Sequence, residues 1–171
     1  MGFALAVLYF WLAQPTWHSL GFGLVGIVPG LLLRAVASGH VRKNEELTTS
    51  GPYAYTRNPL YVGSMLIGAG FAIAARSWWI ALAMIMMFLA IYLPVIQSEE
   101  DFLVHRFPDF EDYAGNVPRF IPRIRRAPSC SETSVQFSLD LYRQHREYNA
   151  LIGTVAVIAG LVAKMTMLRG S

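Results

Sequence analysis

The sequence predicts an all-α integral membrane bundle of about five transmembrane helices, with a polar region at one face of the membrane. Two compositional observations carry this prediction. Of the 171 residues, 54% are hydrophobic and only 15% are charged, whereas a soluble domain has about 25% charged residues. The apolar residues also gather into five long stretches. We therefore expect a single membrane domain over residues 1–171.

The five apolar stretches define the expected helices in chain order, since a bilayer-crossing helix needs about 20 residues. The first starts at the initiator methionine, but no basic residue precedes it and no small-residue cleavage site follows, so we interpret it as a short span and not as a signal peptide. The stretches are Met1–Ala13, Leu20–Val36, Leu60–Ala75, Trp78–Gln97 and Leu151–Leu168.

Small residues in the second and third stretches predict close helix packing. Gly26 and Gly30, and likewise Ser64 and Gly68, have the four-residue spacing that lets helix backbones approach in lipid. The run Gly21–Gly26 also matches the glycine pattern of dinucleotide-binding loops. We interpret it as helix packing, because it opens an apolar helix and no strand precedes it. In the last stretch, Gly153 and Gly160 are candidates for close approach.

The distribution of charge predicts the orientation of the bundle. The loops 37–59 and 98–150, with the flanking Arg34, hold 11 of the 14 Lys and Arg residues and all 11 acidic residues. By the positive-inside rule, the N-terminus is cytoplasmic and the C-terminus is outside. The net charge of +3 and pI near 9.2 indicate attraction to anionic membrane lipids, and no basic aromatic pattern indicates nucleic acid.

The first polar loop contains the stretch Ser50–Gly63, a stiff segment that ends where a helix starts. Pro52 and Pro59 each fix a backbone angle, and Asn58 before Pro59 is a good N-cap. The free N–H groups of a helix start bind anions, and Arg57 beside them strengthens that preference. Three aromatic faces offer contacts to a cation: Tyr53, Tyr55 and Tyr61. The loop can be a capped helix start with interfacial tyrosines, or it can hold a zwitterion.

The second polar cluster follows the fourth apolar stretch. Glu99, Glu100 and Asp101 lie where the helix dipole disfavours anions, unless the helix continues to Phe107. Ion pairs of structural kind are available, from Asp101 to His105 and from either glutamate to Arg119 or Arg123. A glutamate pair alone is weak support for a site.

Together the two clusters resemble the isoprenylcysteine carboxyl methyltransferase and phospholipid methyltransferase superfamily of integral membrane enzymes. The resemblance covers about residues 44–123. It rests on the run NEELTTSGPYAYTRNPLYVG, the Glu99-Glu100 pair and the ending FEDY…VPRFIPR. The sequence departs from the family at Asn58, where the family has histidine, and at Pro108, where many members have glycine. Residues 1–43 then supply the N-terminal spans, and residues 124–171 a polar connector and a C-terminal span.

The resemblance implies that S-adenosylmethionine is the methyl donor and that the catalytic region faces the cytoplasm. Carried over, Arg57, Asn58, Pro59 and Tyr61 line the cofactor, and Glu99 or Glu100 holds its amino or ribose groups. Tyr53 and Tyr55 add ring faces for the sulfonium. The catalytic residues expected on this basis are Arg57, Glu100 and Tyr61.

The acceptor stays open at this stage. The resemblance implies a lipidic or prenylated-cysteine carboxylate, which is already ionised and needs no base. A phospholipid amine or a small thiol would need one, for which Glu100, Glu99 or Tyr61 are candidates. A non-catalytic membrane protein that keeps the cofactor fold is the alternative of another class.

Metal chemistry has no support in the sequence. The four histidines lie on different segments without ligand spacing, and the single cysteine, Cys130, excludes an internal disulfide. The arginines of the connector are interpreted as ligands of lipid phosphates: Arg123, Arg125, Arg126, Arg143 and Arg146. Oligomeric state cannot be read from these patterns.

Overall fold

A computed structural model describes residues 2–42, 46–127 and 137–170, and within these ranges the regular secondary structure is entirely helical. The boundary expected near residue 44 lies outside the described residues, as does Cys130. The helices are α1 (Gly2–Leu12), α2 (Trp17–Ser38), α3 (Pro59–Ala75), α4 (Trp78–Met87), α5 (Leu93–Arg106), α6 (Phe110–Asn116), α7 (Leu139–Gln144) and α8 (Tyr148–Gly170). A 3₁₀ turn, Gly51–Ala54, precedes α3, and a π-helical segment, Phe88–Tyr92, joins α4 to α5.

The predicted integral membrane bundle is confirmed. In the part of the chain that the structure describes, three helices are long and apolar enough to cross a bilayer, Trp17–Ser38, Trp78–Arg106 and Tyr148–Met167, and Pro59–Ala75 is a shorter apolar helix. Helix α1 has 11 residues, so its rise of about 16 Å covers roughly half of the hydrocarbon core. The stretch expected as a first short span is thus half as long as a crossing helix.

The fourth apolar stretch forms a longer helix than expected. It continues through the π-helical segment to Arg106, because the polar residues after Gln97 are good helix formers. Pro94 has no N–H to donate within the preceding turn, which favours a local change of helical pitch at this position. As a result, Glu99 and Glu100 lie inside a helix and not at its C-terminal end.

Helices α2 and α3 pack through glycines at near backbone contact. A Cβ added at Gly23 would lie 2.5 Å from the carbonyl oxygen of Gly70, and one added at Gly30 would lie 2.6 Å from that of Gly63. Gly26 faces the carbonyl oxygen of Leu66. The predicted close packing through Gly26 and Gly30 is confirmed, and the Gly21–Gly26 stretch lies inside α2 as interpreted.

On α3, the face that contacts α2 differs from the expected one. Gly63 and Gly70 contact α2, whereas a Cβ at Gly68 would meet the Met84 side chain of α4. Ser64 accepts a hydrogen bond from Arg34. The prediction for Ser64 and Gly68 was wrong, since positions 63 and 70, seven residues apart, share a face that lies about 100° from position 64.

The end of the bundle opposite the polar loops is held by polar contacts to backbone carbonyls. Ser19 Oγ donates to the Ala74 carbonyl at 3.0 Å, and Lys164 Nζ of α8 donates to the Phe10 and Ala13 carbonyls at 2.6 Å. Gly160 packs on the Phe10 ring as expected, whereas Gly153 has no such neighbour within 4 Å. These contacts join α2 to α3 and α8 to α1 at this end of the bundle, and the polar loops lie at the other end.

Candidate active site

The loop before α3 is clamped by the segment that follows α6. Backbone bonds run along it, and Tyr113 of α6 donates its hydroxyl to the Tyr53 carbonyl at 2.7 Å. The backbone bonds join Arg57 to the Pro118 carbonyl, Arg123 to that of Tyr55, and Ala127 to that of Ala54. The two polar clusters seen in the sequence are thus brought together.

Glu100 lies at the centre of this assembly, buried on α5 with 7% of its surface exposed. Arg119 donates to its Oε2 from Nε at 3.0 Å and from Nη2 at 2.5 Å. Asn58 donates from Nδ2 to Oε1 at 3.1 Å, and Arg57 Nη1 lies 3.7 Å from Oε2. One buried carboxylate is therefore shared by two guanidinium groups, which fixes both of them.

Glu99 has a different environment from its neighbour. It is exposed, and its Oε2 accepts the hydroxyl hydrogen bond of Tyr61 at 3.0 Å. The Tyr61 ring packs edge-on against Tyr92, with centroids 5.7 Å apart. Glu99 therefore remains accessible to a ligand, whereas Glu100 is committed to the two arginines.

A cavity of about 590 Å³ opens over these groups, a size typical of small-molecule sites. Seven of the eight residues expected to bind the cofactor line it: Tyr53, Arg57, Asn58, Pro59, Tyr61, Glu99 and Glu100. The eighth, Tyr55, is exposed and lies outside the lining. Tyr55 follows the 3₁₀ turn, and its backbone contributes to the clamp; its contact with the cofactor stays a prediction.

Unsatisfied polar atoms in the lining test whether the cavity suits S-adenosylmethionine. Arg57 Nε and Thr48 Oγ1 are buried without a hydrogen-bond partner among the described residues. Buried donors of this kind are uncommon and need an explanation. The methionine carboxylate of the cofactor is a fitting acceptor, and the Glu99 carboxylate is a fitting partner for its ammonium or hydroxyl groups. The residues present fit the group.

Tyr53 contributes a neutral phenol to the cavity wall. Its burial raises the pKa of the phenol above its ordinary value. The hydroxyl therefore stays protonated at neutral pH, which suits a donor and excludes a role as base.

Asn58 lies at the N-cap position of α3, which begins at Pro59 as predicted. Its side chain makes no capping hydrogen bond; it donates to Glu100 and to the Arg119 carbonyl instead. The prediction of a side-chain cap was therefore wrong. A hydrogen bond to a buried carboxylate is about twice as strong as one between neutral groups, so the amide turns toward Glu100.

A second, apolar groove of about 770 Å³ lies between α3, α4 and α8. Its lining is largely Met, Ile, Ala and Phe side chains, with Ser64, Tyr92 and Thr154 as polar members. Among the described residues, only Arg34 lines both the groove and the polar cavity. The two spaces therefore meet at Arg34.

Two ion pairs at the site were not predicted as functional contacts from the sequence: Arg34 with Glu147, and Arg119 with Glu100. Arg34 was counted only as a charge flanking its span, although it lies inside α2, and an ionisable residue within a membrane helix is a functional indication. Its partner Glu147 lies more than a hundred residues away, and no local pattern predicts that contact. Arg119 was considered only as a structural ion-pair partner.

The helical bundle, the clamped loop and its motif are features expected of an integral membrane methyltransferase. Residues 30–109 match the family model described as phospholipid methyltransferase. This region, slightly less than half of the chain, is similar to that family, which is part of the isoprenylcysteine carboxyl methyltransferase-like superfamily. The resemblance seen in the sequence is confirmed.

Two curated proteins are similar to this chain. The nickel-cobalt-cadmium resistance protein NccN of Alcaligenes xylosoxydans xylosoxydans is 35% identical over 116 residues, 65% of this chain and 54% of NccN. The cobalt-zinc-cadmium resistance protein CzcN of Cupriavidus metallidurans is 35% identical over 114 residues, 64% of this chain and 53% of CzcN. The chain thus spans about half the length of these relatives. No solved structure matches it.

Proposed function

We propose that the protein transfers a methyl group from S-adenosylmethionine to a lipidic acceptor, with a prenylated-cysteine carboxylate as the favoured acceptor. The observation that carries the proposal is the meeting of the polar cavity and the apolar groove at Arg34. One space suits a charged cofactor and the other suits a hydrocarbon tail. The proposal places the reaction at the cytoplasmic face, where the arginines gather.

The cofactor belongs in the polar cavity on charge grounds. Arg57 and Thr48 offer buried, unpartnered polar atoms for its carboxylate, and the free N–H groups at the start of α3 lie beside Arg57. Glu99 faces its cationic or hydroxyl groups. The Tyr53 and Tyr61 side chains in the lining offer aromatic surface that a sulfonium tolerates.

The acceptor tail belongs in the apolar groove. The groove lies between membrane helices, and its exposed wall includes Met65 and Ile73 of α3 and Ile85 of α4. A prenyl or acyl chain in this space would bring its polar end to Arg34 and Tyr92, next to the cofactor cavity. Burial of such a tail contributes about 0.8 kcal/mol per CH₂ group.

The chemistry asks little of the protein beyond placement. Bound S-adenosylmethionine supplies an electrophilic methyl group. The chain's residues hold donor and acceptor in line, about 3 to 3.5 Å apart, and exclude water. A carboxylate acceptor is already ionised, which agrees with a Glu100 that is committed to Arg119 and a Tyr53 phenol that stays protonated.

A phospholipid amine is the second candidate acceptor, favoured by the description of the matching family. An amine must lose a proton before or during attack. Glu99 is the carboxylate suited to accept it, since it is exposed in the cavity and its neighbour Glu100 is held by Arg119.

The test is methyl transfer by purified protein in lipid nanodiscs. Methyl-labelled S-adenosylmethionine would be supplied with N-acetyl-S-farnesylcysteine, with phosphatidylethanolamine and with a simple thiol, after calorimetry has measured cofactor binding. We expect cofactor binding and label in the ester of the prenylcysteine. Label in phosphatidylethanolamine alone would select the second candidate, and absence of cofactor binding would overturn the proposal.

A further inference from the structure

Arg34 lies at the boundary between the two spaces and is held there by three other residues. Its Nε and Nη2 donate to the two carboxylate oxygens of Glu147, at 3.0 and 2.8 Å. Its Nη1 donates to Ser64 Oγ at 2.5 Å and to the Leu60 carbonyl at 3.4 Å. The guanidinium plane is therefore fixed, with one edge presented to a carboxylate.

The two members of this ion pair differ in which spaces they line. Arg34 is the only charged residue among the described residues that line the apolar groove, whereas Glu147 lies on the side of the polar cavity. A molecule with its tail in the groove thus meets one charge at the junction, and that charge is positive.

We propose that Arg34 recognises the anionic group of the acceptor, and that Glu147 is an internal carboxylate which occupies this position until the acceptor arrives. The inference rests on the proposed lipidic acceptor and adds that the polar end of this acceptor is anionic. The fork of a guanidinium binds carboxylate and phosphate alike in bidentate geometry, so a prenylcysteine carboxylate or a lipid phosphate fits the position.

The position of Glu147 in the chain suits a carboxylate that the acceptor can displace from Arg34. It immediately precedes α8 and follows Arg146, which has a left-handed backbone with φ of 53°. It is thus attached to a turn and not to the middle of a helix. Ser64 and the Leu60 carbonyl hold the other nitrogen of Arg34, so the guanidinium keeps its direction while one carboxylate replaces another.

Binding of matched probes tests this inference without turnover. The carboxylate probe is N-acetyl-S-farnesylcysteine, and its carboxamide is the neutral counterpart. The phosphate probe is lysophosphatidic acid, with monoacylglycerol as its neutral counterpart. Affinities would be measured in nanodiscs of neutral lipid for the wild type, Arg34→Gln, Arg34→Lys and Glu147→Gln. Arg76→Gln removes an exposed arginine at the opposite end of α3 and is the control.

We expect the wild type to bind at least one anionic probe about tenfold to a hundredfold more tightly than its neutral counterpart. Arg34→Gln should lose that preference, and Arg34→Lys should keep part of it, since the charge remains without the fork. Glu147→Gln should bind the anionic probe more tightly than the wild type, because a competing carboxylate is gone. Arg76→Gln should match the wild type.

Several results separate this inference from the proposed function. A preference that survives in Arg34→Gln, or weaker anion binding by Glu147→Gln, would overturn the inference, and a cooperative thermal unfolding transition in each variant would show that they are folded. If the preference depends on Arg34 but no lipid is methylated, the inference stands and the proposed function fails. The probe pair that shows the preference identifies carboxylate or phosphate as the source.

Discussion

The Glu100 carboxylate and the Arg119 guanidinium form a short ion pair, 2.5 Å at its closest, between α5 and the segment after α6. Glu100 lies within the region that matches the family model, and Arg119 lies beyond it. The pair therefore fastens the shared core to a part of the chain that the family model does not cover. Because the Glu100 carboxylate also forms an ion pair with Arg57, this contact helps to set the positions of the charges in the cavity.

The first prediction concerns the stability that this pair contributes. Arg119→Gln leaves a buried carboxylate with fewer donors, so we expect the free energy of unfolding to fall by about 1 to 3 kcal/mol. Glu100→Gln should have a similar effect, and the double variant should lose less than the sum. Unfolding in mixed micelles measures all four proteins. Strictly additive losses would mean that the two side chains do not stabilise each other.

The second prediction concerns cofactor affinity. Arg57→Ala removes a donor that lies unpaired in the cavity, and Glu100→Gln removes the charge that positions Arg57. Each should weaken S-adenosylmethionine binding by about tenfold to a hundredfold, as measured by calorimetry. Arg125→Ala, which removes an exposed arginine outside the cavity lining, should bind normally. Wild-type affinity in Arg57→Ala and Glu100→Gln would remove the proposed site.

The third prediction tests the glycine interface with two neighbouring positions of one helix. Gly23→Ala places a methyl group against the backbone of α3, at Gly70, so it should destabilise the bundle by about 1 to 3 kcal/mol. Gly21→Ala meets nothing within 4 Å and should be neutral or slightly stabilising, because alanine is the better helix former. Thermal unfolding measures the stability of both variants, and equal melting temperatures would contradict the close packing of α2 against α3 at Gly23.

The fourth prediction concerns orientation. Exposed positions at the two ends of the bundle serve as cysteine reporters of the orientation. In a Cys130→Ser background, Asp109→Cys and Arg126→Cys should be labelled from the cytoplasmic side, and Arg76→Cys from the other side. Labelling of all three from one side would refute the topology.

The sequence was sufficient for the membrane bundle because apolar length is a local property. Composition and five apolar stretches predicted the class, and the Gly26 and Gly30 spacing predicted close packing. The rotational setting of α3 was not predictable in the same way. Ser64 and Gly68 have the same four-residue spacing as Gly26 and Gly30, yet α3 contacts α2 through Gly63 and Gly70, and only the position of the partner helix decides which face is used.

For the candidate site, the sequence predicted residues that prove to share one cavity, but it did not predict their partners. Seven of the eight expected cofactor residues line one cavity, because the family motif identifies them. The exception, Tyr55, differs from Tyr53 only in where its side chain points after a 3₁₀ turn. The contacts of Arg34 with Glu147 and of Asn58 with Glu100 join distant segments, and a pattern along the chain cannot show them.

The last prediction concerns Asn58, which replaces the histidine of the family. Its amide donates to Glu100 at 3.1 Å, so its role is to hold a carboxylate, which needs an N–H and no proton transfer. Asn58→Ala loses this bond, and we expect its affinity for S-adenosylmethionine to fall by about tenfold. A histidine can supply one ring N–H to the same oxygen.

Asn58→His should therefore keep turnover within a modest factor of the wild type across pH 5.5 to 8.5. Protonation of the ring near pH 6.5 adds a second donor and leaves the bond to Glu100 in place, so little pH dependence is expected. If histidine were instead a missing general base, the variant would gain about a hundredfold or more, and the gain would grow as the ring deprotonates above that pH. Turnover of the wild type, Asn58→His and Asn58→Ala, each at saturating cofactor, distinguishes the two roles, because only a base produces a gain that rises with pH.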